Sequence, residues 1–243
     1  MTEAQSSIRN HLLRQLPADA FAAMAPHLER SALPARSPVF EAERPIERVC
    51  FPEAGLISIL AKSRSGGRIE AGLIGPEGAC GMAVLLADDR SPNEAVVQCP
   101  GHASWIGADR LRTLVKAMPE LERVLLRFIH SFMIQTSHTA LADGRARLDQ
   151  RLARWLLMAQ DRLVRPELPL THELLAGMLG VRRAGVTVAL NGLERMGAIR
   201  MNRGVVTVAE RTLLEGVAGP WYGVPEREYR RLLGEPNALC PVD

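Results

Sequence analysis

Two adjacent arginines, Arg182 and Arg183, carry the clearest chemistry in this sequence. The segment before them, residues 171–179, has the apolar spacing of a short helix, and Gly180 can adopt the positive φ of a tight turn. The arginines then stand at the start of a second helix, where a guanidinium group can reach guanine O6 and N7 in the DNA major groove. This order predicts a helix-turn-helix that reads DNA.

Further polar residues of the same stretch extend the predicted DNA surface. A threonine can cap the first helix, whose end can also meet a phosphate. The segment Val205–Val208 has the pattern of a strand after a turn, so we expect a winged module, with a plain hairpin tip as the alternative for the residues before it. The candidate DNA-binding residues are Thr171, His172, Arg182, Arg183, Ala184, Thr187, Asn191, Arg195, Asn202 and Arg203.

Positive charge is concentrated in the same half of the chain. Residues 145–231 hold 15 Arg against nine Asp and Glu, whereas the remainder holds 15 Lys and Arg against 18 Asp and Glu. This asymmetry indicates a polyanionic partner such as double-stranded DNA. A solvated, arginine-rich surface without a partner would give the same balance.

The segments that must position this module differ in their pattern of apolar residues along the chain. Residues 7–30 have helical spacing with a break at Pro17. From residue 34 to residue 107, short apolar runs alternate with turns that contain Gly and Pro, which predicts a jelly roll or β-roll. We expect its strands at 48–51, 56–60, 69–74, 95–99 and 103–106.

A long helix is expected between the two halves, after a short helix at 108–118. Pro119 can open it, and Gly144 is a plausible break at its end. Its apolar positions recur at intervals of 4, 3 and 4 residues, a seam of coiled-coil type formed by Leu121, Leu125, Phe128 and Phe132. We interpret it as a dimer helix, because helix-turn-helix proteins commonly bind DNA as two-fold dimers; a core helix of the monomer is the alternative. A further helix is expected at 147–164.

The sequence therefore predicts an α+β protein of three parts. They are an N-terminal β-roll sensor domain at 1–118, a dimerisation helix at 119–144 and a C-terminal winged helix-turn-helix DNA-binding domain at 145–243.

Composition and motif spacing exclude several other classes. Hydrophobic residues make up 47% and charged residues 23%, as in ordinary globular domains. No apolar run approaches the roughly 18 residues of a membrane span, and the N-terminus lacks a signal-peptide core, so we expect a cytoplasmic protein. No catalytic motif or metal-ligand spacing occurs, which predicts neither an enzyme nor a metal site. The cysteines, expected to be free thiols, are Cys50, Cys80, Cys99 and Cys240.

Residues 170–183, 186–190 and 193–199 resemble the C-terminal signature of the Crp/Fnr family of bacterial transcription regulators, and residues 45–58 are typical of the β-roll in one of its subgroups. The resemblance implies a cyclic-nucleotide-binding-like β-roll, a homodimer, DNA and RNA polymerase as partners, and a base-contacting role for Arg183. Ala184 stands where the family pattern has Glu, and Val188 where a second base-reading Arg often lies. These departures imply a different operator sequence.

The counterpart of the family's nucleotide pocket also departs from the pattern. Gly81-Met82 replaces Gly-Glu, so the carboxylate for the ribose is missing, and Arg90-Ser91 falls short of the usual spacing. These departures argue against cyclic AMP or GMP, and we expect no cofactor and an unidentified effector. Cysteine-based redox sensing through Cys80 or Cys99 and a cyclic-nucleotide response are the alternatives. The candidate pocket residues are Gly81, Met82, Arg90, Ser91, Gln135 and Thr136.

Overall fold

A computed structural model of the protein describes residues 3–163 and 167–236. Val164, expected at the end of a helix, and Cys240 lie outside the described residues. The chain begins with three short helices, α1 (Glu3–Ser6), α2 (His11–Gln15) and α3 (Ala18–Met24), followed by a 3₁₀ turn at Ala25–His27.

Asn10 connects this helical segment to the β-roll. Its Oδ1 atom caps α2 by accepting a hydrogen bond from the Leu13 amide at 3.1 Å. Its Nδ2 group donates to the carbonyl oxygens of Pro52 and Gly78, each at 2.8 Å. A single buried amide thus holds the first helices against two separate parts of the roll.

The roll is a five-stranded antiparallel sheet in the order β1-β5-β3-β4, with β2 also paired to β5. The predicted strands at 48–51 and 56–60 are one continuous strand, and those at 95–99 and 103–106 are another. Residues 29 and 30, expected to be helical, lie in the first strand. The strands are β1 (Glu29–Leu33), β2 (Pro38–Phe40), β3 (Arg48–Lys62), β4 (Arg68–Ile74) and β5 (Glu94–Gly107).

Bulges explain why turn-like residues occur inside these long strands. The β3–β5 register shifts between Pro52 and Ile57, so extra residues are absorbed without ending either strand. Gly55 has φ +97°, which favours glycine. Opposite it, a Cβ atom added at Gly101 would lie 2.1 Å from the Ala54 carbonyl oxygen. The two strands approach so closely here that only glycine fits.

After α4 (Ala108–Ala117), the long helix α5 runs from Pro119 to Arg145 and continues through Gly144. The assignment of its apolar seam to a dimer interface was wrong. Leu121, Leu125 and Phe128 are buried in the core of the chain's own β-roll, with Phe132 packed beside them. The seam lies on the inner side of α5 because the open face of the roll offers an apolar surface within the same chain.

The C-terminal half begins with α6 (Leu148–Leu163) and contains the predicted helix-turn-helix and wing. A three-stranded antiparallel sheet in the order β6-β8-β7 closes it. The last helix returns to α5 and buries Tyr229 and Leu233 in the core of the β-roll. The elements are β6 (Glu167–Leu168), α7 (His172–Leu179), α8 (Arg183–Arg195), β7 (Ile199–Asn202), β8 (Val205–Val208), α9 (Arg211–Ala218) and α10 (Val224–Leu233).

A second apolar core joins the two halves. Leu56, Leu60 and Leu73 on the sheet belong to the same buried cluster as Leu152 and Leu156 on α6. The winged module is therefore packed against the roll by side chains that exclude water. Among the described residues, none of the helices combines the length and the hydropathy that a membrane span requires.

The close strand crossing yields a stability prediction. We expect Gly101→Ala to lower the free energy of unfolding by about 3 kcal/mol or more, because the methyl group collides with backbone atoms that cannot move aside. Gly107→Ala is the matched control, since a Cβ atom there meets nothing within 4 Å. Denaturant unfolding measures both, and equal stability of the two variants would contradict this account of the bulge.

Candidate nucleic-acid interface

The turn between α7 and α8 has the geometry that the sequence predicts. Thr171 Oγ1 caps α7 by accepting a hydrogen bond from the Leu174 amide at 3.2 Å. Gly180 ends that helix with φ +63°. The Val181 amide then donates to the Ala176 carbonyl oxygen at 3.1 Å, which directs the chain into α8.

The two helices are held together by an apolar face and one polar contact. His172 Nδ1 lies 2.9 Å from Thr187 Oγ1, which in turn donates to the Arg183 carbonyl oxygen at 3.2 Å. Two predicted DNA-contacting side chains therefore also fix the angle between the helices. The buried residues of the pair are Leu175, Ala176, Met178, Leu179, Val186, Leu190 and Leu193.

The opposite face of α8 is open to solvent. Arg182 is the N-cap residue and Arg183 the first residue of the helix, and both side chains are exposed. Within residues 3–163 and 167–236, neither guanidinium group forms an ion pair or a side-chain hydrogen bond. The rest of this face consists of Ala184, Val188, Asn191 and Arg195, all exposed. Val188 is 68% exposed, so its apolar side chain is accessible on this face.

The predicted wing is a hairpin between β7 and β8. Its tip is Arg203-Gly204, with φ values of +28° and +82°. Asn202 and Arg203 are exposed at the tip. Glu194 at the end of α8 accepts a hydrogen bond from the Met201 amide at 2.8 Å, so the wing is anchored to the recognition helix.

Two contacts attach this module to the rest of the chain. Arg151 on α6 forms an ion pair with Asp143 near the end of α5 at 2.8 Å, and it also donates to the Leu179 carbonyl oxygen at the end of α7. The turn at Gly180 lies on β4, where an added Cβ atom would be 3.1 Å from Ile69 Cδ1. Helix-turn-helix, long helix and β-roll thus meet at one junction.

A buried carboxyl group lies between the sheet and α6. Glu70 on β4 accepts hydrogen bonds from Ser58 on β3 and from Trp155 Nε1 on α6, the latter at 2.7 Å. Burial raises the pKa of Glu70 to about 7, although these two donors and the charges of Arg154 and Arg162 act in the opposite direction. The sequence did not predict this contact, because no local pattern connects residues that are 85 positions apart.

The candidate pocket residues have separate partners within the chain, and their role in a common site stays a prediction. Arg90 is exposed and forms an ion pair with Asp89 at 2.9 Å. Gln135 is buried, and both ends of its amide bind the backbone of Leu73, at 2.7 and 3.1 Å. Thr136 donates to a carbonyl oxygen of its own helix. Gly81 and Met82 lie at the N-terminus of a 3₁₀ turn, and Ser91 lies in the loop before β5.

The cysteines of the β-roll are buried. Cys50 and Cys80 pair across antiparallel backbone, with amide-to-carbonyl distances of 2.9 and 2.8 Å. Burial raises the pKa of both thiols well above the usual value, which disfavours the reactive thiolate. Cys99 is buried as well. In the part of the chain that the structure describes, no group of three or more His, Cys, Asp or Glu is placed to hold a metal ion.

Comparisons with known proteins agree with this geometry. Residues 150–217 match the model of the Crp-like helix-turn-helix domain. The chain is 24% identical over 217 residues to the global nitrogen regulator of Nostoc sp. (strain PCC 7120 / SAG 25.82 / UTEX 2576), covering 86% of this chain and 95% of that protein.

Solved structures share the fold. FixK2 from Bradyrhizobium japonicum has a TM-score of 0.69 at 17% identity, covering 79% of this chain and 98% of that one. A transcriptional regulator of the CRP/FNR family from Thermus thermophilus, TTHA1359, has a TM-score of 0.64 at 21% identity, covering 78% and 98%. The resemblance to Crp/Fnr regulators is therefore confirmed. Residues 150–217 form a Crp-like helix-turn-helix domain, and the chain shares the fold of solved Crp/Fnr regulators.

The buried carboxyl group predicts how stability depends on pH. The folded-state pKa of Glu70, about 7, lies above the usual value of 4.5, so its favourable contribution is complete below pH 4.5 and is lost as the pH rises through 7. Relative to Glu70→Gln, the native chain should lose about 3 kcal/mol of unfolding free energy between pH 4.5 and about pH 8.

Denaturant unfolding at several pH values measures this difference. Glu173→Gln, which changes an exposed carboxylate on α7, is the control and should follow the native curve. If the unfolding free energies of the native chain and Glu70→Gln depend on pH in the same way, the Glu70 carboxyl group does not titrate between the sheet and α6 in this pH range.

Proposed function

We propose that this chain is a dimeric, sequence-specific DNA-binding regulator of transcription whose β-roll half controls the winged module. The observation that carries the proposal is the pair Arg182-Arg183 at the first turn of α8: both side chains are exposed, and within the described residues their guanidinium groups form no ion pair or side-chain hydrogen bond. A helix of this diameter fits the major groove, and its first residues are the ones that reach base edges.

Each part of the exposed face suits a different kind of contact. Arg182 and Arg183 have the fork geometry that matches guanine. Val188 offers an apolar surface that suits a thymine methyl group, in place of a second arginine. The methyl side chain of Ala184 has no hydrogen-bond donor or acceptor, and its small size leaves room for a close approach of the helix to the base pairs. We infer that the operator differs from those read by Arg-Glu helices.

Phosphate contacts are assigned to groups beside the recognition face. The exposed amides at the start of α7, after Thr171, form a suitable anion site. Arg195 lies further along α8 and Arg203 lies at the tip of the wing, where each can meet a DNA backbone. Asn191 and Asn202 complete the predicted surface. These contacts would set the register of the protein on the duplex without reading its sequence.

The dimer is assigned to the outer face of α5 rather than to its buried seam. Leu126, Met133 and Ala140 follow one another at intervals of seven residues and are all exposed. Small residues flank them at Ser137 and Gly144, which permits close approach of a second helix. The stripe from 126 to 144 spans about 27 Å, enough for a two-stranded coiled coil between two copies. RNA polymerase is the further partner that a regulator at a promoter would meet.

The alternative effectors receive less support. A cyclic nucleotide would need the missing carboxylate at Met82 and a free arginine, whereas Arg90 is paired at the surface. Redox sensing would need an accessible thiolate, whereas Cys80 is buried and its pKa is raised. A regulator that responds to another effector therefore has more support than either alternative.

Removal of one guanidinium tests the assignment of base readout. We expect Arg183→Ala to relax the preference at one base position of each half-site and to cost about 1–3 kcal/mol of binding free energy. Selection from a random DNA library gives the site profile, and fluorescence anisotropy gives the affinity. Arg110→Ala, an exposed arginine on α4, is the control. An unchanged profile for Arg183→Ala would refute the assignment.

A charge placed in the exposed stripe tests the dimer. Met133 is 59% exposed, so Met133→Glu should leave the monomer folded but place two carboxylates at the interface and shift the chain to monomers. Leu86→Glu is the matched control, because Leu86 in the β-roll is 58% exposed. Analytical ultracentrifugation at micromolar concentration measures both. A dimeric Met133→Glu variant would place the interface elsewhere.

A further inference from the structure

A cavity of about 480 Å³ lies between the two halves of the chain. The N-terminal segment and the loop after β4 form one side, whereas α6, α9 and α10 form the other, with α5 between them. The volume lies within the range of small-molecule sites, about 300–1,000 Å³. Of the candidate pocket residues, Gln135 lines this cavity, whereas Gly81, Met82, Arg90, Ser91 and Thr136 do not.

The charges around this cavity leave a surplus of positive charge. Three lining arginines have carboxylate partners: Arg162 with Glu77 at 2.7 Å, Arg211 with Asp161 at 2.8 Å, and Arg230 with Glu235 at 3.5 Å.

Arg9 and Arg14 also line the cavity, and their guanidinium groups form no ion pair within the described residues. Glu226 is the remaining lining carboxylate, and it accepts a hydrogen bond from the Gly223 amide at the start of α10. His11, between the two arginines in sequence, has its pKa lowered to about 4 by burial and by the charge of Arg14, so it is neutral at pH 7. The lining therefore carries a net charge of about +1, which matches a monoanion.

An apolar wall faces these charges. Phe128 and Phe132 of α5 line the cavity, with ring centroids 6.2 Å apart. Gly78 permits this arrangement, since an added Cβ atom would lie 2.6 Å from the Phe128 ring. Such a wall suits the apolar body of a ligand, and aromatic rings offer it favourable stacking.

A buried polar network holds the cavity open. Tyr229 on α10 donates to the Glu77 carbonyl oxygen at 2.6 Å, and its hydroxyl lies 2.7 Å from His11 Nδ1. These contacts join the N-terminal segment, the loop after β4 and the last helix. The walls are thus in place before a ligand arrives, which lowers the ordering cost of binding.

We propose that this cavity is the effector site, and that it takes a small organic monoanion whose apolar body packs on Phe128 and Phe132 while its carboxylate pairs with Arg9 or Arg14. The proposal rests on the proposed function only in calling the ligand an effector. Because the walls come from both halves, a ligand that fits one arrangement of the halves better shifts the chain toward it. The ligand and DNA would then alter each other's affinity by the same factor.

The test uses 8-anilinonaphthalene-1-sulfonate, a fluorescent aromatic monoanion, and N-phenyl-1-naphthylamine, which has the same ring system without the sulfonate. Titrated into the full chain without DNA, the anion should bind once per chain and about tenfold or more tightly than the neutral dye. The double variant Arg9→Gln/Arg14→Gln should lose about tenfold or more in affinity for the anion and little for the neutral dye.

Controls make the result decisive. Arg110→Gln removes an exposed arginine on α4 and should bind the anion as the native chain does. Circular dichroism must show that the double variant is folded; if it is not, each single variant is titrated in its place. Equal affinity of the folded variants and the native chain for the anion, or equal affinity for the two dyes, would overturn the proposal.

Competition identifies the anionic group. Aromatic carboxylates such as phenylacetate should displace the bound dye, whereas inorganic phosphate should not. Displacement by adenosine monophosphate but not by any carboxylate would overturn the carboxylate assignment. The titration needs no DNA, and DNA affinity is measured on the unliganded chain, so the failure of one leaves the other standing.

Discussion

The packing of α6 on the face of the β-roll is the constraint on which the rest of the structure depends. One water-excluding core contains residues of the sheet, such as Leu56, and residues of the helix, such as Leu152. Within it, Glu70 joins β3, β4 and α6 through two hydrogen bonds. Because separation of the halves would expose this core, the orientation of the recognition helix is coupled to the roll.

The two sides of the long helix α5 have different surroundings. Its inner side completes the core of the roll, with Leu121 and Leu125 fully covered. Its outer side leaves Leu126 and Met133 in water, although both are apolar. The proposed effector cavity opens beside the inner side, and the proposed dimer contact runs along the outer side. One rigid element therefore adjoins the proposed ligand site, the proposed second copy and the junction to the helix-turn-helix.

The DNA-reading module was predictable because its determinants are local. Its determinants are the N-cap at Thr171, the left-handed conformation of Gly180 and the helical periodicity around them. Each acts within a few residues, so each can be recognised from the sequence alone. The strands of the roll were less predictable. The turn-like residues Pro52–Gly55 form a bulge within β3, because pairing with β5 continues on both sides of them. The local sequence does not show which strand will pair with β3.

The sequence by itself determined the class of fold, the order of its main elements and the place of the helix-turn-helix, whereas the residues that contact DNA stay a prediction. Only the tertiary structure decided which stripe of α5 faces its own core, because an amphipathic helix shows an apolar side without showing what covers it. The same holds for the Glu70 contact and for the cavity between Arg9, Arg14 and α10. These sites join residues distant in sequence, and such pairs meet only after packing has set the positions of whole elements.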